Sequence, residues 1–273
     1  MTTIIPTAEP FFFPGKGRNA KIGCLVTHGF TGAPKEMRWL GEYLASQGHS
    51  VLGVRLAAHA THPEDMLRVS WQDWVASVED GWNLLCNAIC CTDSPEPTRM
   101  FIMGLSMGGM LSLLFASQPF AERYPLAGVV AMSTPYAVRA DPRLAYVELL
   151  SHIQPRVPKG PSDWCDPLVA ADHVDYPYYP TRAIAQLRDL LVEMRLALPL
   201  VTIPVLMMHS RQDTAGKDFD ADSMQKIFDH LSSRDKQMLW IEGSGHVITR
   251  DAQRQQVFKA AADFINRVRL QAV

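Results

Sequence analysis

Apolar residues in this chain fall in short runs separated by longer stretches with helical spacing. The runs are 22–27, 50–56, 100–103, 126–133, 203–208 and 237–241, each short enough for a strand buried on both faces. Between them, Met37, Leu40 and Leu44 recur at helical spacing after Pro34 and before Gly48. Trp71, Trp74, Val75, Val78, Trp82 and Leu85 give a broad apolar face over 71–91. Residues 108–117 form an apolar helix, 222–232 another, and 251–269 a last one with Val257, Ala261, Phe264, Ile265 and Val268 on one side. Strands alternating with helices predict an α/β chain with a parallel sheet covered on both faces.

The alternation fails between 136 and 199. Prolines recur there at 142, 155, 158, 161, 167, 177 and 180, and the one clear amphipathic helix, 183–197, has Ile184, Leu187, Leu191, Met194 and Leu198 on a face. This block reads as an insertion over the sheet, so the chain divides into a core of 1–135 with 200–273 and an inserted subdomain of 136–199. Residues 1–20, rich in Pro and Phe, read as an extended lead-in on the core edge.

Composition narrows the function class. The 273 residues are 47% hydrophobic and 20% charged, enough for one large core. A net charge of −2 provides no basic footprint for nucleic acid. No apolar run is long enough to span a bilayer, and residues 1–6 lack the basic and apolar regions of a signal peptide. Five cysteines with no CxxC spacing argue against a metal site or a disulfide framework. Cys86, Cys90 and Cys91 read as small apolar filler on one helix. The expectation is a cytoplasmic protein acting on a small molecule without metal or cofactor, its oligomeric state open.

The chemistry centres on Gly104-Leu105-Ser106-Met107-Gly108, which has the form G-x-S-x-G between a strand run and a helix. A serine on such a turn projects its hydroxyl away from the sheet, and the new helix aims free N–H groups at the same spot. The hydroxyl needs a base, and the base an orienting acid. Asp213 follows the run 203–208 and His246 follows 237–241, so the chain order is Ser106, Asp213, His246. Asp218 and Asp220 lie in the same loop as Asp213 and are alternatives for the acid. The oxyanion donors are expected to be the N–H of Met107, directly after the nucleophile, and the N–H of Phe30 in the glycine-flanked loop after 22–27. His28 reads as a brace of that loop, His59 and His62 as loop residues near the insertion, and His209 as a strand end without chemistry. Tyr176, Tyr178 and Tyr179 read as acyl-pocket lining or as packed insertion surface.

Three segments in order carry a resemblance: His28-Gly29-Phe30-Thr31-Gly32-Ala33-Pro34, Gly104-Leu105-Ser106-Met107-Gly108-Gly109, and Ser244-Gly245-His246-Val247-Ile248-Thr249. Trp71-Gln72-Asp73-Trp74 adds a fourth. The chain resembles the carboxylesterase and monoacylglycerol lipase branch of the α/β-hydrolases over most of residues 11–265, apart from the insertion. The resemblance implies an α/β-hydrolase fold with a small cap at 136–199. It also implies hydrolysis of short or medium acyl esters through a Ser-His-Asp triad and an acyl-enzyme. A monoacylglycerol, an acyl thioester, or a ligand bound without turnover are the alternatives. Two departures stand out: the family's Gly-His-Gly after the second strand is Ala58-His59-Ala60 here, and the loop after Asp213 is longer than usual.

Overall fold

A computed structural model describes residues 3–91, 94, 97–117, 126–137, 146–161, 163–214 and 222–271. Its centre is a seven-stranded sheet in the order β1-β3-β2-β4-β5-β8-β9. The strands are β1 (Phe11–Phe13), β2 (Ile22–Thr27), β3 (Ser50–Val54), β4 (Arg99–Leu105), β5 (Leu126–Met132), β8 (Val205–Ser210) and β9 (Lys236–Ile241). All neighbouring pairs are parallel except β1 with β3. The lead-in therefore becomes an edge strand. The Phe11 ring lies over Gly53 and against Gly41, where any Cβ would come within 2.7 Å of it.

The apolar runs follow from two covered faces. Alternate side chains of a strand point to opposite sides. Cys24, Val26, Phe101, Met103, Val130, Met132, Leu206 and Met208 face one layer, formed by α1 (Lys35–Ser46) and α8 (Arg254–Gln271). Leu25, Met100, Ile102, Val129, Ala131, Val205 and Met207 face the other, formed by α2 (Trp71–Cys90), α3 (Met107–Ala116) and α7 (Ser223–His230). Of the helix-face residues of α2, Trp74, Val78, Trp82 and Leu85 are buried, while Trp71 and Val75 are only partly so. Ser70 and Asp73 form a capping box at its start, which accounts for the Asp in the Trp71–Trp74 segment. Cys86 fills the core as expected; Cys90 and Cys91 are exposed instead, since they fall past the apolar face.

Between β5 and β8 the chain forms α4 (Val147–Ser151), α5 (Pro167–Ala171), α6 (Thr181–Ala197) and a hairpin of β6 (Arg156–Pro158) with β7 (Tyr178–Pro180). Strands of three residues ending in proline carry no readable periodicity, so the sequence holds no signal for the hairpin. α6 packs on α3 and α4. Its Ala183, Leu187, Leu190, Leu191, Met194 and Ala197 enter the same core as α2 and α3, while Ile184 is only partly buried. None of the helices in the described residues is long and apolar enough to cross a membrane.

Candidate active site

The carboxyl ends of β4, β5, β8 and β9 lie side by side, and each hands its chain to a loop of this site. After β4 comes Ser106, at φ 54° and ψ −115°, a backbone conformation that non-glycine residues rarely adopt. Three contacts impose it. Ser106 N–H donates to the Met132 carbonyl at 2.7 Å, and the Ser106 carbonyl accepts from Gly109 and Met110 N–H. The turn is so tight that a Cβ on Gly104 would fall 2.0 Å from the Gly108 backbone, and one on Gly108 2.3 Å from the Thr27 carbonyl oxygen. Glycine is required at both places because backbone meets backbone.

Ser106 and the loop after β9 start three strands apart, about 14 Å at the usual strand spacing. The β9 loop closes that gap by folding back over β8 and β5: Ser133 Oγ donates to the His246 carbonyl at 2.7 Å, and Ser133 N–H donates to the Met208 carbonyl. His246 Nδ1 lies 2.7 Å from Asp213 Oδ2. A carboxylate at Nδ1 fixes the tautomer with the proton on Nδ1 and leaves Nε2 as an acceptor. Among the described residues the Ser106 hydroxyl forms no hydrogen bond, so its contact with Nε2 is not closed. Asp213 is the acid brought to the histidine; Asp218 and Asp220 lie outside the described residues.

Burial alone would lower the His246 pKa, but the Asp213 charge outweighs it, helped by Asp163 and Glu36, and the imidazole sits above its ordinary value. Burial likewise works to raise Asp213, yet His246 and His209 hold it well below the usual carboxylate range. His209 Nε2 is 3.0 Å from Asp213 Oδ2. His209 does sit at the strand end expected of it, next to last in β8, and from there its ring faces the same carboxylate four residues on.

The loop after β2 is held from three sides. His28 is fully buried; its Nδ1 donates to the Gly29 carbonyl at 2.9 Å and its Nε2 accepts from Leu56 N–H at 3.2 Å. Burial first, and then His59, keep its pKa well below the ordinary value, so it braces the loop as a neutral ring. Tyr176 N–H donates to the Thr31 carbonyl at 3.0 Å, and Glu36 Oε2 accepts from Gly29 N–H at 2.8 Å. Neither Phe30 N–H nor Met107 N–H has an acceptor among the described residues. The Phe30 ring stacks on Tyr179 at 5.7 Å and meets Trp74 and His59 edge-on.

His59 is buried among these rings, and burial lowers its pKa to about 4. The flanking Ala58 and Ala60 take φ of 60° and 56°, so the loop keeps a glycine-like backbone without glycine. His62 caps the short helix Pro63–Arg68. The three insertion tyrosines part ways. Tyr176 is buried and pins Ala58 and Thr61, Tyr178 donates to Glu64, and Tyr179 covers Phe30. Among the described residues no cluster of His, Cys, Asp or Glu is arranged to hold a metal ion.

Sequence reading passed over Glu36, a carboxylate buried beneath the loop. Burial pushes it up to about 7, against the pull of the Gly29 N–H. A hydrophilic residue at the start of an amphipathic helix gives no hint of this. Glu36→Ala is expected to lower kcat roughly 10- to 100-fold by releasing Gly29 and the adjoining Phe30 N–H. It should also destabilise the fold by about 1–3 kcal/mol through the orphaned amide. Glu36→Gln, whose amide oxygen still accepts, should keep most of both. Steady-state kinetics and urea denaturation of the two variants check this, and equal losses would refute it.

The comparisons with known proteins agree with this architecture. A thermostable monoacylglycerol lipase of Bacillus sp. (strain H-257) is 33% identical over 96% of this chain and 95% of its own length. A carboxylesterase of Bacillus subtilis (strain 168) is 26% identical over 97% of this chain and 98% of its own. A solved structure of a metagenome-derived lipolytic enzyme superposes with a TM-score of 0.84 at 30% identity, covering 97% of this chain and all of the other. The fold is that of the α/β-hydrolases. With residues 18–253 matching the family model described as serine aminopeptidase, S33, the chain belongs to that family of hydrolases.

Proposed function

We propose that this protein is a serine esterase that cleaves carboxylic esters of short to medium acyl chain through an acyl-enzyme. The observation that carries the reading is the pairing of His246 with Asp213 beside a serine held on a strained turn. Ser106 Oγ attacks the ester carbonyl while His246 Nε2 takes its proton. Asp213 keeps the other imidazole proton on Nδ1 and offsets the positive charge that develops. The N–H groups of Phe30 and Met107 receive the oxyanion, an interaction worth about 10²–10³ in rate per donor. The proton passes from Nε2 to the departing alkoxide, which leaves as the alcohol. Water then attacks the acyl-enzyme, giving its proton to His246, and the carboxylic acid leaves as Ser106 regains its hydrogen.

Residues 136–199 act as the cap, and Tyr179 stacked on Phe30 forms part of the wall that meets the acyl chain. One methylene changes discrimination by only about 1–3 kcal/mol, so acyl preference is broad. The relatives' names support both a general carboxylesterase and a monoacylglycerol lipase, which differ in the alcohol released.

A panel of p-nitrophenyl esters of graded acyl length, with 1-monoacylglycerols and matched acyl thioesters, tests the proposal before and after a serine-directed phosphonate. Turnover of short and medium esters, abolished by the phosphonate, is the expected result. Faster thioester cleavage would move the activity to thioesters. A burst without turnover, or no product at all, would leave a ligand-binding member of the fold.

A further inference from the structure

Asp163 lies in the insertion, yet its carboxylate is spent on the core. Its Oδ2 accepts the N–H of His246 at 3.0 Å and the N–H of Thr214 at 2.9 Å. Thr214 directly follows Asp213, so one oxygen bridges the loop carrying the base and the loop carrying the acid. The reverse tie is made by Asp251, fully buried just beyond the histidine loop. It accepts from Cys165 and Asp166 N–H of the insertion, and from Gly245 N–H at 2.6 Å. The two segments approach so closely that a Cβ on Gly245 would fall 2.3 Å from the Asp163 carbonyl oxygen and 2.5 Å from its Oδ1.

We infer that Asp163 is a positioning residue supplied by the insertion, whose carboxylate holds the His246 and Asp213 loops in register with each other. The inference rests on the esterase reading for its kinetic consequence. Two loops that leave adjacent strands have no fixed spacing beyond the strand ends. Here the spacing is locked by a charge-assisted acceptor shared between their backbones, the stronger class of hydrogen bond. The segment 163–166 is in this sense part of the catalytic frame and not a mobile flap above it. Two carboxylates contact His246, Asp213 from the loop after β8 at the ring and Asp163 from the insertion at the backbone N–H; Glu36 from α1 acts on the ring electrostatically, and His209 reaches it through Asp213.

The test compares full-length Asp163→Ala, Asp163→Asn and Ser106→Ala with p-nitrophenyl butyrate as substrate, alongside the downfield His246 Nδ1 proton in NMR. Asp163→Ala is expected to lose roughly 10- to 100-fold in kcat with KM unchanged, the effect of a small misplacement of the base. It should also broaden or displace the imidazole resonance. Asp163→Asn keeps an acceptor oxygen and should restore most of the turnover and the resonance. Its acid limb in kcat/KM should lie at lower pH than wild type, because the Asp163 charge is gone. Wild-type kcat and resonance in Asp163→Ala, or equal losses in the Ala and Asn variants, would overturn the inference. If Asp163→Ala does not fold, Asp163→Glu decides: the longer side chain keeps the charge but displaces the acceptor, so a similar loss of kcat with a displaced resonance supports the inference, and wild-type kcat with an unmoved resonance overturns it. Turnover retained by Ser106→Ala would remove the esterase mechanism alone, since the resonance reports on the His246–Asp213 pair whatever the serine does.

Discussion

Ser106→Ala is expected to lower kcat by roughly 10⁵- to 10⁶-fold while leaving the fold intact. The hydroxyl is the proposed site of the covalent bond, and no neighbouring group replaces it. The same position makes a second, separable prediction about stability. At φ 54° and ψ −115°, residue 106 sits where a Cβ is strained by about 1–3 kcal/mol. Alanine keeps that Cβ and keeps the strain. Glycine removes it, and the gain is offset in part by about 0.5–1 kcal/mol of extra chain entropy in the unfolded state. Ser106→Gly should therefore be as inactive as Ser106→Ala yet more stable by about 1 kcal/mol. Urea midpoints of the two variants measure this. If the glycine variant is no more stable, the turn stores no strain and the nucleophile is held by other means.

Asp213→Asn should lower kcat about 10⁴-fold. An amide facing Nδ1 can present N–H instead of an acceptor, which places the ring proton on Nε2, where it blocks transfer from Ser106. The pH profile of the residual activity carries its own sign. The reaction needs neutral His246, so activity is present above the imidazole pKa and is lost as pH falls through it. Asp213 is the largest of the charges raising that pKa, against burial, which lowers it. Without the charge, burial prevails, and the acid limb of kcat/KM moves to lower pH. An unmoved limb would mean that another carboxylate sets the histidine. The loss should exceed that in Asp163→Asn, because Asp213 meets the ring at 2.7 Å whereas Asp163 meets the backbone N–H.

Much of this molecule is legible along one dimension. The strand runs and helical faces follow from backbone geometry, in which side chains alternate along a strand and recur along a helix, so core layers can be read without knowing what packs on them. The serine turn is legible for a related reason: Gly104 is demanded by the Gly108 backbone four residues on, although Gly108 itself answers to the distant Thr27 carbonyl. His246 is found because it follows the last strand of a parallel sheet. The hairpin at Arg156–Pro158 and Tyr178–Pro180 was not legible, since three-residue strands ending in proline have no periodicity to read, and the Glu64 carboxylate that binds both Arg156 and Tyr178 lies 92 and 114 residues from them.

What the amino-acid order alone determined is the layered sheet, the serine turn, and the strand ends where a base and an acid would emerge. Only tertiary structure decided which carboxylate meets the imidazole and how that pair is held. Glu36, Asp163, His209 and Asp251 are ordinary polar residues by local pattern. They matter because folding brings Asp163 to a backbone 83 residues away and Cys165 to an aspartate 86 away. Short-range periodicity reports the direction of a side chain, whereas a hydrogen bond between distant segments depends on packing that no local pattern encodes.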